Sequence, residues 1–142
     1  MKSQPGISKR PKLVRISEEM KQWSDLLGSE LSAWPGVKSR PMFGFIGFYR
    51  GNKIFAGLPR TRALYTPNSI ILRFESMPPK LLRREQEDSR ISSGKVVPSG
   101  RWYAFELNSA DELGDALWWL NQAYLAARSK HPRPVKRRSA KR

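Results

Sequence analysis

The chain has 142 residues, 27 lysines and arginines against 12 aspartates and glutamates, a formal net charge of +15 and no cysteine; that length suits one domain, and disulfides, thiolate metal sites and a cysteine nucleophile are excluded. Its one histidine, His131, stands in a Pro/Lys/Arg-rich end, so no Ser-His-Asp triad, histidine-held zinc or histidine base is expected within the fold. No apolar run exceeds five residues, as in Ala116–Leu120, so neither a transmembrane helix nor a signal peptide is expected, and the expected setting is cytoplasmic with nucleoid association open.

Residues 1–15 carry Lys2, Lys9, Arg10, Lys12 and Arg15 without an acid, together with Pro5, Gly6 and Pro11. Nothing there buries apolar surface to offset ordering entropy, so the segment reads as a basic flexible arm. The folded domain is expected over 16–128. Ser17 is a suitable N-cap, with Glu18 and Glu19 in the favourable first turn. Met20, Trp23, Leu27, Leu31 and Trp34 then recur at helical spacing, and Pro35-Gly36 ends the helix.

Met42 to Tyr49 is apolar and aromatic on both alternating faces, the pattern of a central strand, in which Gly44 and Gly47 mark bulges or close packing. A turn at Arg50-Gly51-Asn52-Lys53 and a return strand Ile54–Leu58 predict a β-hairpin. Ala63–Tyr65 is expected to pair across Thr66-Pro67-Asn68 with a strand Ile70–Glu75, which has one buried face. Pro78-Pro79 opens a short helix over 80–87. A Ser/Gly/Pro-rich loop follows, around a short strand at Lys95–Val97, and then a strand Trp102–Leu107. Asn108 or Ser109 caps a last helix whose stripe is Leu113, Ala116, Leu117, Leu120, Tyr124 and Ala127.

Residues 129–142 form a second basic flexible tail, with Lys130, Arg133, Lys136, Arg137, Arg138, Lys141 and Arg142 and no acid. All 12 acids lie in residues 16–128, against 15 basic side chains there. The charge excess therefore belongs to the two ends. Turns too short for parallel crossovers predict a two-layer α+β domain, a curved antiparallel sheet covered on one face by the N- and C-terminal helices.

Trp34-Pro35-Gly36-Val37, Met42-Phe43-Gly44 followed by Phe48-Tyr49, and Ile54-Phe55-Ala56, with the element order through Trp102 to Leu125, resemble the N-terminal domain family of TfoX and related YjbR-type small domains. The resemblance implies an α+β fold like that of secretion chaperones and brings no catalytic residue set with it. The chain departs from the family pattern in following Gly44 with Phe45 rather than a second glycine.

No constellation for catalysis stands out, and neither a cofactor nor a metal is expected. Asp111 and Glu112 point about 100° apart on a helix and share no site. Ser92-Ser93-Gly94-Lys95 lacks the frame and following helix of a phosphate-binding loop. The expected nucleic-acid contacts are the tail cations Lys130, Arg133, Lys136, Arg137, Arg138, Lys141 and Arg142, with Lys9, Arg10 and Lys12 of the arm. Solubility alone, or an anionic membrane surface without insertion, accounts for the same charges. Arg50, Lys53, Arg60 and Arg62 form a secondary basic surface that, with Tyr49, Phe55 and Tyr65, has the composition of a single-strand site; core aromatics on a sheet explain the same residues more cheaply. Arg83, Arg84, Arg90, Lys95 and Arg101 make a second basic group, or ordinary solvated surface. Trp118 and Trp119 cannot both face the core centre. Trp118, with Leu125 seven residues on, is the candidate for a contact with a protein partner or a second copy, against a broad buried stripe.

Overall fold

The computed structural model describes residues 12–92 and 101–128. Its elements in chain order are β1 (Leu13–Arg15), α1 (Glu18–Ser32), β2 (Val37–Met42), β3 (Phe45–Arg50), β4 (Lys53–Pro59), β5 (Arg62–Leu64), β6 (Ser69–Arg73), α2 (Pro79–Glu87), β7 (Ile91–Ser92), β8 (Trp102–Glu106), a 3-10 turn (Ala110–Glu112) and α3 (Leu113–Ala126). Six strands form an antiparallel sheet in the order β2-β3-β4-β6-β8-β7, and β1 and β5 pair as a separate ribbon. The fold class is α+β. The Lys95–Val97 strand of the sequence reading falls outside the described residues.

α1 begins where its capping chemistry places it: the Ser17 hydroxyl accepts from the Met20 amide at 3.0 Å. Met20, Trp23, Leu27 and Leu31 are buried against the sheet, each contributing about 1.5–3 kcal/mol of apolar burial. Trp34 lies past the helix end rather than on its last turn. Its ring stacks on Phe55, 6.4 Å between centroids, and meets Tyr124 edge-on at 5.1 Å. α1 and α3 both pack on the central strand β4. Ile70 and Leu72 of β6, Tyr103 and Phe105 of β8 and Leu107 directly after β8 add to the same core.

Four expectations are corrected. Met42 to Tyr49 is not one strand. Met42 ends β2, and Phe43-Gly44 is a two-residue turn with φ of 47° and 88°, the positive pair that matches hairpin twist. Phe43 is consequently 88 % exposed at the tip instead of packed on a face. Glycine is required at 44, because a Cβ there would sit 2.9 Å from Arg62 Cγ. The Gly44 carbonyl also accepts from the amides of Arg60, Thr61 and Arg62, tying this turn to the end of β4.

The second correction concerns β5, which pairs with β1 through Leu13↔Leu64 and Arg15↔Arg62. It does not pair with β6, whose neighbours are β4 and β8. The third follows from it: residues 13–15, assigned to the arm, are strand. They find a partner because Arg62–Leu64 leaves the main sheet. The fourth is the start of α3, which no side chain caps; the chain enters through the 3-10 turn instead. There the Asn108 amide donates to Glu112 Oε1 at 2.8 Å.

Candidate nucleic-acid interface

Lys12 is exposed, and its carbonyl accepts from the Tyr65 amide at 2.8 Å. Lys9, Arg10, Lys130, Arg133, Lys136, Arg137, Arg138, Lys141 and Arg142 lie outside the described residues. The four cations of the secondary basic surface do not form one site. Arg50 and Lys53 flank the Gly51-Asn52 turn, while Arg60 and Arg62 follow the far end of β4. Seven extended residues separate the pairs, roughly 20 Å at strand rise.

Arg50 is structural. Its guanidinium donates to the Tyr124 carbonyl at 3.0 Å and lies 4.2 Å over the Tyr124 ring, a cation at the negative end of α3. The Tyr124 hydroxyl in turn donates to the Pro35 carbonyl at 2.7 Å. Phe55 is fully buried and Tyr65 is exposed, so the two do not make a shared aromatic surface.

Three members of the second basic group, Arg84, Arg90 and Arg101, make contacts within the domain, and Lys95 lies outside the described residues. The Arg84 guanidinium lies 4.4 Å over the Trp118 ring, and Arg101 reaches Glu75 at 3.5 Å. Arg90 grips Asp88 with a two-pronged contact at 2.9 and 2.8 Å, donates to Asp115 at 2.9 Å and lies 5.0 Å over the Phe105 ring. It ties the end of α2 to the start of α3. Hydrogen bonds from Arg90 hold the Asp88 carboxyl below its ordinary range. A carboxylate lowered in the folded state stabilises above its unfolded pKa and loses that contribution as pH falls through the folded value. Glu85, raised by burial, acts in the opposite sense. Arg90→Met is therefore expected to cost about 2 kcal/mol at neutral pH, and the gap to the parent chain should narrow below about pH 4. Urea melts across pH check this; a gap that is constant with pH would show that the ring contact, not the carboxylates, carries the effect.

Trp118 is 36 % exposed and Leu125 49 %, whereas Trp119 is 2 % exposed and part of the core. The tryptophan pair is thus divided between surface and interior, with its rings edge to face at 5.0 Å. Between α1 and the β3–β4 hairpin lies a cleft of about 690 Å³, floored by Phe48 and Leu58 and rimmed by Lys21 and Arg60. The buried Ser24 hydroxyl on its wall makes no hydrogen bond.

The sheet has a second face, away from α1 and α3. It is partly covered. Leu64 of the ribbon packs on Phe45 and Ile71, both buried, with Met42, Trp102 and Ala104 around them. What remains accessible is a band of exposed and half-buried side chains placed by register. Lys38 pairs with Tyr49 and Tyr49 with Ile54; Arg73 pairs with Trp102 two strands away. The next row runs Arg40, Gly47, Gly57, Ile71, Ala104 and Ser92. Its two glycines keep the face flat. A Cβ on Gly57 would meet Ile71 Cγ1 at 2.8 Å, and one on Gly47 would meet Ile54 Cδ1 at 3.2 Å and Tyr49 Cε1 at 3.5 Å. Isoleucine and tyrosine therefore lie down along the sheet.

Lys38, Arg40 and Trp102 were missed as site candidates, although the chain carries a signal for the two cations. From Leu31 to Phe74 there are seven cations, Lys38, Arg40, Arg50, Lys53, Arg60, Arg62 and Arg73, and no acid. The acids cluster on α1, around α2 and at the start of α3, leaving Glu75 and Glu106 on the sheet side. Among the described residues no group of three or more His, Asp or Glu side chains is placed to hold a metal, and no helix is long and apolar enough to cross a membrane. No protein-family model matches the chain, and no curated protein or solved structure matches it.

Proposed function

We propose that this is a non-enzymatic cytoplasmic protein, a domain of the TfoX N-terminal type, that holds nucleic acid through its cationic ends without reading sequence. The observation that carries this is charge placement: twelve lysines and arginines in residues 1–15 and 129–142 with no acid among them, beside a domain close to neutral. Clustered cations displace the counterions condensed on phosphate, and that release drives binding and makes it salt-dependent. Contacts of this kind position a protein on a strand and carry no base information. The residues behind the family resemblance support the domain type through structural roles: Pro35-Gly36 turns α1 into β2, Phe43-Gly44 turns β2 into β3, and Phe55-Ala56 builds the central strand.

The test is fluorescence anisotropy of the full chain with two labelled duplexes of unrelated sequence. Affinity is expected to fall about a thousand-fold between 50 and 200 mM salt, with the two sequences held within about two-fold of each other. Salt-independent binding, or a ten-fold preference for one sequence, would overturn the reading. A second reading, a protein-interaction or dimerisation module with solubilising tails, rests on Trp118 and Leu125, two large apolar side chains exposed on one face of α3.

A further inference from the structure

We infer that the outward face of the sheet is a stacking platform for single-stranded nucleic acid, separate from the cationic ends. The inference rests on the nucleic-acid reading above and adds a second site to it. Three observations carry it. The face presents two half-buried aromatic side chains, Tyr49 on β3 and Trp102 on β8, the latter beside the Leu64–Phe45–Ile71 cluster. Three inter-strand steps separate them, about 14 Å, a span for two or three unstacked bases. Ile54 and Arg73 stand in the row between the two rings, and the paired Gly47 and Gly57 of the next row let Tyr49, Ile54 and Ile71 lie flat along the sheet.

Charge supplies the third. The edge strand β2 lines the platform with Lys38 and Arg40, both exposed, and the Arg40 guanidinium lies 5.5 Å from the Tyr49 ring centroid. A planar cation over an aromatic ring offers a base its own outer face as a stacking plane and the phosphate a partner at once. Arg73, in the same row, is held by Glu75 at 2.8 Å and is not counted as a phosphate contact. Glu106 is the one acid within the strands of this face, at the end away from Tyr49. Duplex cannot use such a surface, because its bases are already stacked on each other; a single strand can, and does so with little regard to sequence.

Full-length protein is titrated with a labelled twelve-nucleotide oligothymidine and with a mixed-sequence duplex of equal length. Tyr49→Ala and Trp102→Ala are each expected to weaken oligothymidine binding ten-fold or more and to leave duplex binding within two-fold, while Tyr49→Phe and Trp102→Phe restore it. Arg40→Glu, on an exposed edge where folding is not at stake, is expected to weaken the single strand at least five-fold. Oligothymidine binding unchanged in all these variants, with duplex binding intact, would overturn the platform and leave the cationic ends as the whole site. Absence of binding to either probe by the parent chain would overturn both readings. Variants that dissociate a dimer without changing oligothymidine affinity would assign the face to a second copy of the chain and overturn the platform.

Discussion

Removal of residues 130–142 is expected to lower duplex affinity by two orders of magnitude or more at low salt, and to flatten its dependence on salt. The deletion takes away seven cations and no acid. If all seven engage duplex phosphates, the slope of log K against log salt falls by roughly six. The loss should be uniform across sequences, because phosphate contacts do not distinguish bases. Its effect on the fold should be small. The cut lies beyond Arg128, so α3 keeps the closing bonds from the Ala127 amide to the carbonyls of Ala123 and Tyr124. Anisotropy at several salt concentrations checks the slope, and a thermal melt checks the fold. A truncated chain that binds duplex as well as the parent would move the duplex site onto the domain, where the acid-free stretch from Leu31 to Phe74 is the place to look.

The elements that were legible in the sequence are those whose burial follows one period. α1 announces itself through Ser17 and a stripe at helical spacing, and four of the five stripe residues are buried core. β8 is legible for the same reason: Tyr103, Phe105 and Leu107 alternate and are buried. β2 escaped because Val37–Met42 is an edge strand with four exposed residues in succession, Lys38, Ser39, Arg40 and Pro41. Lysine and proline on an edge discourage pairing with another chain, so the features that protect the strand also hide it from a reading of hydrophobicity. Phe43 misled in the opposite way. Its aromatic ring fits a strand, yet its position is fixed by the turn that Gly44 makes.

The candidate site was legible only as composition. Arg50, Lys53, Arg60 and Arg62 are close in sequence, but strand length separates them, and Arg50 is drawn into holding the end of α3. The reverse holds for Tyr49 and Trp102. They are 53 positions apart, and the register of four strands sets them on one face. No local pattern encodes that placement, because it depends on β6 entering the sheet between β4 and β8.

Trp119→Ala is expected to destabilise the domain by about 3–5 kcal/mol, the cost of emptying a large core site, and to lower its melting midpoint by roughly 10–20 °C. Trp118→Glu should cost about 1 kcal/mol, since the lost ring is more than a third exposed and the new carboxylate faces Arg84. The adjacent residues divide so sharply because of helix phase. The sequence stripe was anchored on Leu113, which as the first residue of α3 is only half-buried. The stripe that packs is Ala116, Trp119, Leu120, Ala123 and Tyr124, rotated toward Trp119, whose ring meets Phe74 edge-on at 6.5 Å. Trp118 is left on the flank, its ring between Trp119 and the Arg84 guanidinium. If the α3 flank joins two copies of the chain, Trp118→Glu should abolish the dimer in sedimentation equilibrium while the melt stays near that of the parent. A parent chain that sediments as a strict monomer at high concentration would remove self-association, and a Trp118 variant as unstable as Trp119→Ala would place both rings in the core.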